Sequence, residues 1–156
     1  MDYQNNTKIN SLTHEDLSDF LSTALYGSEF LSADYDADFY ESIPEEKRNG
    51  NCFEDKLADV LLNDGTIYIY DTYAEGETYG ENPKRYLTDD SEDAVYPITL
   101  KDIINGLEKC ANGTYNGQGE NKYLCECFHN LATDDYDQVD AENLMQIILF
   151  NELIYG

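Results

Sequence analysis

Phe30-Leu31-Ser32-Ala33-Asp34-Tyr35-Asp36-Ala37-Asp38-Phe39-Tyr40 alternates with period two. Leu31, Ala33, Tyr35, Ala37 and Phe39 fall on one face, and Ser32, Asp34, Asp36 and Asp38 on the other. The pattern predicts a half-buried strand. Thr66 to Tyr73 repeats it, with Ile67 and Ile69 opposite Tyr68 and Tyr70, and Ala94 to Ile98 is a third short strand, limited by Pro97.

Outside these stretches the apolar period is about 3.6. Three helix starts are marked by a cap residue behind an apolar residue that can staple onto the first turn: Thr13 with Leu12 and Leu17, Thr99 with Ile98 and Ile103, Asp140 with Val139 and Leu144. The first helix carries Leu17, Phe20, Leu21, Ala24 and Leu25 and stops at Gly27. Asn51 with Glu54 opens a shorter helix bearing Phe53, Leu57, Val60 and Leu61, and another runs from about Glu120 to Ala132. A last helix, about Ala141 to Ile154, is apolar on most sides and belongs at the centre of the core. The reading is one α+β domain spanning 1–156, a small, largely antiparallel sheet packed by about five helices. Residues 1–11 are expected to be a flexible N-terminus, and 74–93 an acidic surface loop or hairpin.

Charge narrows the function. Acidic residues number 33 against 9 basic, a formal net charge of −24. Binding to DNA, RNA or heparin rests on Lys and Arg replacing phosphate counterions, so direct nucleic-acid binding is disfavoured. Leu, Ile, Val and Phe make up about 22% of the chain, enough for a core despite the repulsion. Solubility needs a net charge of only about 2–8 in magnitude, and the excess points to selection for a field. No export signal or membrane span is recognisable, so the four cysteines read as reduced cytosolic thiols.

On a strand, alternate residues stand about 6.6 Å apart, which would set Asp34, Asp36 and Asp38 in a straight row spaced like every second phosphate of a nucleic-acid strand. Glu41, Glu45 and Glu46 extend it, and residues 28–46 contain no basic residue. A second acidic group is Asp89, Asp90, Glu92 and Asp93, and a third is Asp134, Asp135, Asp137 and Asp140. These residues are the candidate partner-binding set. The plainer reading of each is a solvated face.

Other chemistries fit less well. Asp34, Asp36, Asp38 and Glu45 match calcium-loop positions 1, 3, 5 and 12, but Phe39 stands where the loop needs Gly. Cys125, Cys127 and His129 are soft ligands, yet residues two apart on a helix point about 200° away from each other. His14 reads as a surface residue, and no nucleophile motif accompanies His129. The Gly-containing stretch 112–121 lacks the Gly-Lys-Ser/Thr ending of a phosphate loop. The expectation is a non-enzyme without metal or cofactor. Fourteen tyrosines, with Tyr68, Tyr70 and Tyr73 clustered, favour a protein partner.

In its Leu12-Thr13-His14-Glu15-Asp16-Leu17 segment, its Asp34–Asp38 run and its Leu149-Phe150-Asn151-Glu152-Leu153-Ile154-Tyr155-Gly156 ending, the chain resembles the small acidic proteins of phages and conjugative elements. These include anti-restriction and anti-CRISPR proteins that mimic DNA. The resemblance implies an inhibitor occupying the nucleic-acid channel of a defence nuclease or another DNA-binding protein. The alternative is an adaptor or scaffold of a mobile element that binds its partner through the tyrosine-rich surface.

Overall fold

Alternation along Phe30–Tyr40 gives way after Tyr35. In the computed structural model, which describes residues 8–88 and 92–155, β1 is Leu31–Tyr35 and a short helix, α2, follows at Ala37–Ser42. Asp36 is the cause. Its carboxylate accepts from the backbone N–H of Asp38 at 2.9 Å and of Phe39 at 3.3 Å, so it caps a helix instead of continuing a strand. The expected strand to Tyr40, and with it the straight Asp34-Asp36-Asp38 row, is corrected to a strand end, a cap and a first helical turn.

Among the described residues, after helical residues 8–10, the order is α1 (His14–Leu25), β1, α2, a 3-10 turn (Glu45–Lys47), α3 (Phe53–Leu62), β2 (Ile67–Asp71), β3 (Tyr86–Leu87), β4 (Ala94–Ile98), α4 (Leu100–Asn112), α5 (Lys122–Ala132) and α6 (Gln138–Phe150). The sheet is antiparallel in the order β1-β2-β4-β3. The fold is α+β, as expected, with β3 giving the 74–93 segment a hairpin. Register sets Ala33, Ile69 and Tyr96 in one row and Tyr35, Ile67 and Ile98 in the next. Ile67, Ile69, Tyr96 and Ile98 are fully buried against the helices, so this is the inner face.

Capping fixes the helices. Thr13 and Thr99 are the caps, as expected, and each also forms a reciprocal box, with Asp16 and with Asp102. Two starts shift. The last helix is capped by Asp137, not Asp140: Asp140 sits at the third position and accepts from the Asp137 N–H, so Val139 is an exposed first-turn residue and no staple. The α3 cap is Cys52, with Asp55 rather than Glu54 as the answering acid. In both cases the acid three residues beyond the cap sets the register.

Helix α6 runs through the core, with Leu144 to Phe150 buried, between α1, α4 and α5. Gly106 of α4 lets the two helices close: a Cβ there would stand 2.8 Å from the Cα of Ile148. The helix ends at Asn151, in the left-handed conformation (φ 55°), short of the expected Ile154. Gln146 explains the turn back. Its buried side chain accepts from the N–H groups of Ile154 and Tyr155, both at 2.8 Å, and donates to the Tyr155 carbonyl at 2.9 Å. The polar interruption in an apolar run is thus the anchor of the C-terminal tail. At the other end, residues 8–10 are helical, Ile9 is buried and Lys8 bridges Asp16 and Asp134, so the described part of the expected flexible N-terminus belongs to the fold.

Candidate partner-binding surface

Asp34, Asp36, Asp38, Glu41, Glu45 and Glu46 are all exposed along the ridge from the end of β1 through α2 to the 3-10 turn. Asp38 and Glu41 are three apart on one helix, which puts their Cβ atoms about 5–6 Å apart. Among the described residues no Lys or Arg stands in ion-pair contact with any of the six. Lys47 stands in the same 3-10 turn, and Arg48 and Lys56 each lie 5.6 Å from the centroid of the Tyr40 ring of α2. The six carboxylates outnumber these three cations, so the ridge stays net negative.

The other two acidic groups sit apart from it. In the second, Asp89 and Asp90 lie outside the described residues. The Asp93 carbonyl accepts from the Thr88 N–H, linking the ends of β3 and β4, and the Glu92 carbonyl accepts from the Gly76 N–H. β1 and β3 are opposite edges of a four-stranded sheet, three strand spacings or about 14 Å apart. Ala94 pairs with Asp71, which pairs with Leu31, so the hairpin lies at the start of β1 and the ridge at its end. The two groups occupy diagonal corners. In the third group, Asp134 pairs with Lys8 at 3.4 Å, while Asp137 and Asp140 form the α6 capping box; Asp135 and Asp137 remain exposed. The accessible surface is 8325 Å². That is near the roughly 8,000 Å² of a compact monomer of this mass, so the carboxylates cover a rounded body and not a rod.

The tyrosines divide. Register puts Tyr68 beside Asp34 and Pro97, and Tyr70 beside Ser32, Val95 and Tyr86, on the outer face of the sheet. Burial, and then the charge of Asp34, raise the Tyr70 hydroxyl above its ordinary pKa. Tyr73 lies past the end of β2 and joins a different set. Its ring is 5.8 Å from Phe30 and 5.9 Å from Tyr155, and its hydroxyl donates to Glu29 at 3.2 Å.

Three arrangements were not anticipated. His14, expected at the surface, is half-buried, with Nε2 3.1 Å from Asp59 Oδ1 and 3.0 Å from the Asp55 carbonyl. Asp59 is 1% exposed and takes the Asn49 N–H on both oxygens, at 3.0 and 2.9 Å. The neighbouring Ser18 hydroxyl donates to Asp55 at 2.5 Å, which holds that carboxyl below its usual range. Each group is committed to fastening α1 onto α3, and Ser18 is bonded to a carboxylate, not to His14.

The second is Asp71, buried on the inner face, with Tyr155 and the Tyr73 N–H as donors at 2.8 and 3.0 Å. Burial raises its pKa against both bonds. The signal was present, because period two carries the Ile67 and Ile69 face onward to Asp71. The third is a groove of about 480 Å³ beside Phe30, Tyr73 and Tyr155.

The α5 ligand candidates point apart, with Cys127 buried, Cys125 half-buried and His129 exposed. Burial, and then Asp140, push the Cys127 thiol up to about 11. Among the described residues no three His, Cys, Asp or Glu side chains gather as metal ligands, and no helix is long and apolar enough to cross a membrane. Compared with known protein families, with curated proteins and with solved structures, the chain matches none.

Proposed function

We propose that this protein is an acidic inhibitor that binds in place of nucleic acid, seating its carboxylate ridge in the basic channel of a bacterial defence nuclease or another DNA-binding protein. The observation that carries the reading is the ridge at 34–46. Six exposed carboxylates stand there, none in an ion pair among the described residues, and they outnumber the neighbouring cations Lys47, Arg48 and Lys56. The rounded body and the separated acidic groups favour a plug that fills a short length of channel over a rod that replaces a long duplex. The field of −24 charges speeds encounter with a positive surface, and the rate falls steeply with salt.

The test uses the protein immobilised in a nuclease-treated bacterial lysate and eluted with a salt gradient. A DNA-binding protein released by moderate salt and displaced by its own DNA is the expected result. A variant carrying Asp34→Asn, Asp38→Asn, Glu41→Gln, Glu45→Gln and Glu46→Gln, with the Asp36 cap intact, should associate at least about tenfold more slowly at low salt. Equal capture by that variant would overturn the reading.

The outer sheet face favours a second reading, an adaptor that grips a protein through Tyr68, Tyr70 and Tyr86. Tyrosine supplies large contact area at small entropic loss, and these three share one face. A partner that survives high salt and is lost on Tyr68→Ala or Tyr70→Ala would select it.

A further inference from the structure

The groove of about 480 Å³ is lined by Gly27, Glu29 and Phe30 ahead of β1, Tyr73 after β2, Gln138, Val139 and Glu142 on α6, and the tail residues Ile154 and Tyr155. Its size lies in the range of sites that hold a small ligand or one or two side chains. Phe30, 6% exposed, is the floor. Tyr155 stands 4.7 Å from Phe30 at 51°, and Tyr73 meets Tyr155 edge-on at 85°. Two carboxylates, Glu29 and Glu142, flank these rings, and no Lys, Arg or His lines the groove. Burial, followed by the charge of Glu29, raises the pKa of Glu142 although Ser28 bonds to it. Both carboxylates thus line a groove with no basic side chain in its wall.

The walls are held in advance of any ligand. Tyr155 is fixed through its hydroxyl by Asp71 and through its backbone by Gln146, while Tyr73 is fixed through its hydroxyl by Glu29 and its N–H by Asp71. Such fixed walls lower the entropy lost on binding. At the rim of the groove Val139 is 58% exposed, and Gln138 donates at 2.9 Å to the carbonyl of Tyr26, which is 83% exposed.

We infer that this groove receives an arginine side chain projecting from a basic protein surface, its guanidinium lying on the exposed side of the Phe30–Tyr73–Tyr155 ring cluster and bonded to Glu29 and Glu142. A cation answers the aromatic faces and the unneutralised carboxylates together. A planar guanidinium, less strongly hydrated than an ammonium and carrying five donors, can serve both carboxylates while lying on a ring. A bare metal ion would need a tighter gathering of oxygens than the groove offers. The inference goes beyond the carboxylate ridge, which needs only charge, and it holds for any partner that presents the arginine.

The test is an NMR titration of the whole chain with acetyl-Gly-Arg-Gly-amide, with the lysine and citrulline counterparts alongside. The arginine peptide should shift Tyr73, Tyr155 and Glu142 saturably, the lysine peptide more weakly, and neutral citrulline not at all. Combined Glu29→Gln and Glu142→Gln should weaken the arginine peptide at least tenfold. Glu108→Gln with Glu126→Gln, which changes net charge equally on other helices, should not. Equal binding of citrulline, equal loss in both double variants, or shifts confined to residues 34–46 would each overturn it. Unchanged circular dichroism of the variants separates lost binding from lost fold, and because no partner protein is used, failure here leaves the ridge reading standing.

Discussion

The Tyr155 hydroxyl donates to Asp71 Oδ2 at 2.8 Å, joining the end of the chain to the end of β2 across 84 residues. Asp71 is buried, so removing the donor leaves a carboxyl with only the Tyr73 N–H. Tyr155→Phe should destabilise the fold by about 1–3 kcal/mol, read from urea unfolding with unchanged slope.

The same carboxyl sets a pH dependence. Burial raises the folded pKa of Asp71 above its unfolded value of about 4. Its contribution is then complete below about pH 4 and is lost as pH rises through the folded value. Asp71→Asn should flatten the decline in stability over that window, measured as unfolding midpoint against pH.

Asp55 behaves in the opposite sense. The Ser18 bond, against burial, holds its folded pKa down, so its contribution is present above about pH 4 and disappears as pH falls through the folded value. Asp55→Asn should lose about 1–2 kcal/mol at pH 7, through the Ser18 bond and the α3 cap, and far less in acid. Paired urea titrations at the two pH values check it.

Gly80 has φ +74°, and a Cβ there would fall 1.9 Å from the Phe150 carbonyl oxygen. Gly117 has φ +69° with nothing within 4 Å. Gly117→Ala should cost only the strain of the left-handed backbone, about 1–2 kcal/mol. Gly80→Ala should cost clearly more, because the loop must also leave α6. Thermal unfolding of the two variants measures the difference.

With few ion pairs to weaken and many like charges to screen, salt should stabilise this protein. Raising NaCl from about 10 to 500 mM, where the Debye length falls from about 30 Å to less than 5 Å, should lift the melting temperature by several degrees. A fall would mean that attraction between charges, not repulsion, dominates the fold.

Local signals in the sequence were legible where two of them agreed. Thr13 and Thr99 each join a cap and an apolar pair, and both helices start as expected. Asp36 was ambiguous, because an aspartate suits both the polar side of a strand and a helix cap, and only the backbone beyond it decides. Asp137 and Asp140 pose the same problem within one capping box. Gln146 was visible as an interruption, but its partners in the tail are set by tertiary folding. Phe30, Tyr73 and Tyr155 carry no common spacing, and their groove exists only after β1, β2 and the tail converge.

Cations are few in this molecule, nine against 33 acidic residues. Lys8 is shared between two aspartates, and Arg48 and Lys56 lie against one ring. At low salt, within about a Debye length of its surface, a body of −24 attracts mainly through its net charge. A monopole draws in a positive surface without turning it, so orientation is decided only at contact, by whichever feature has shape as well as sign.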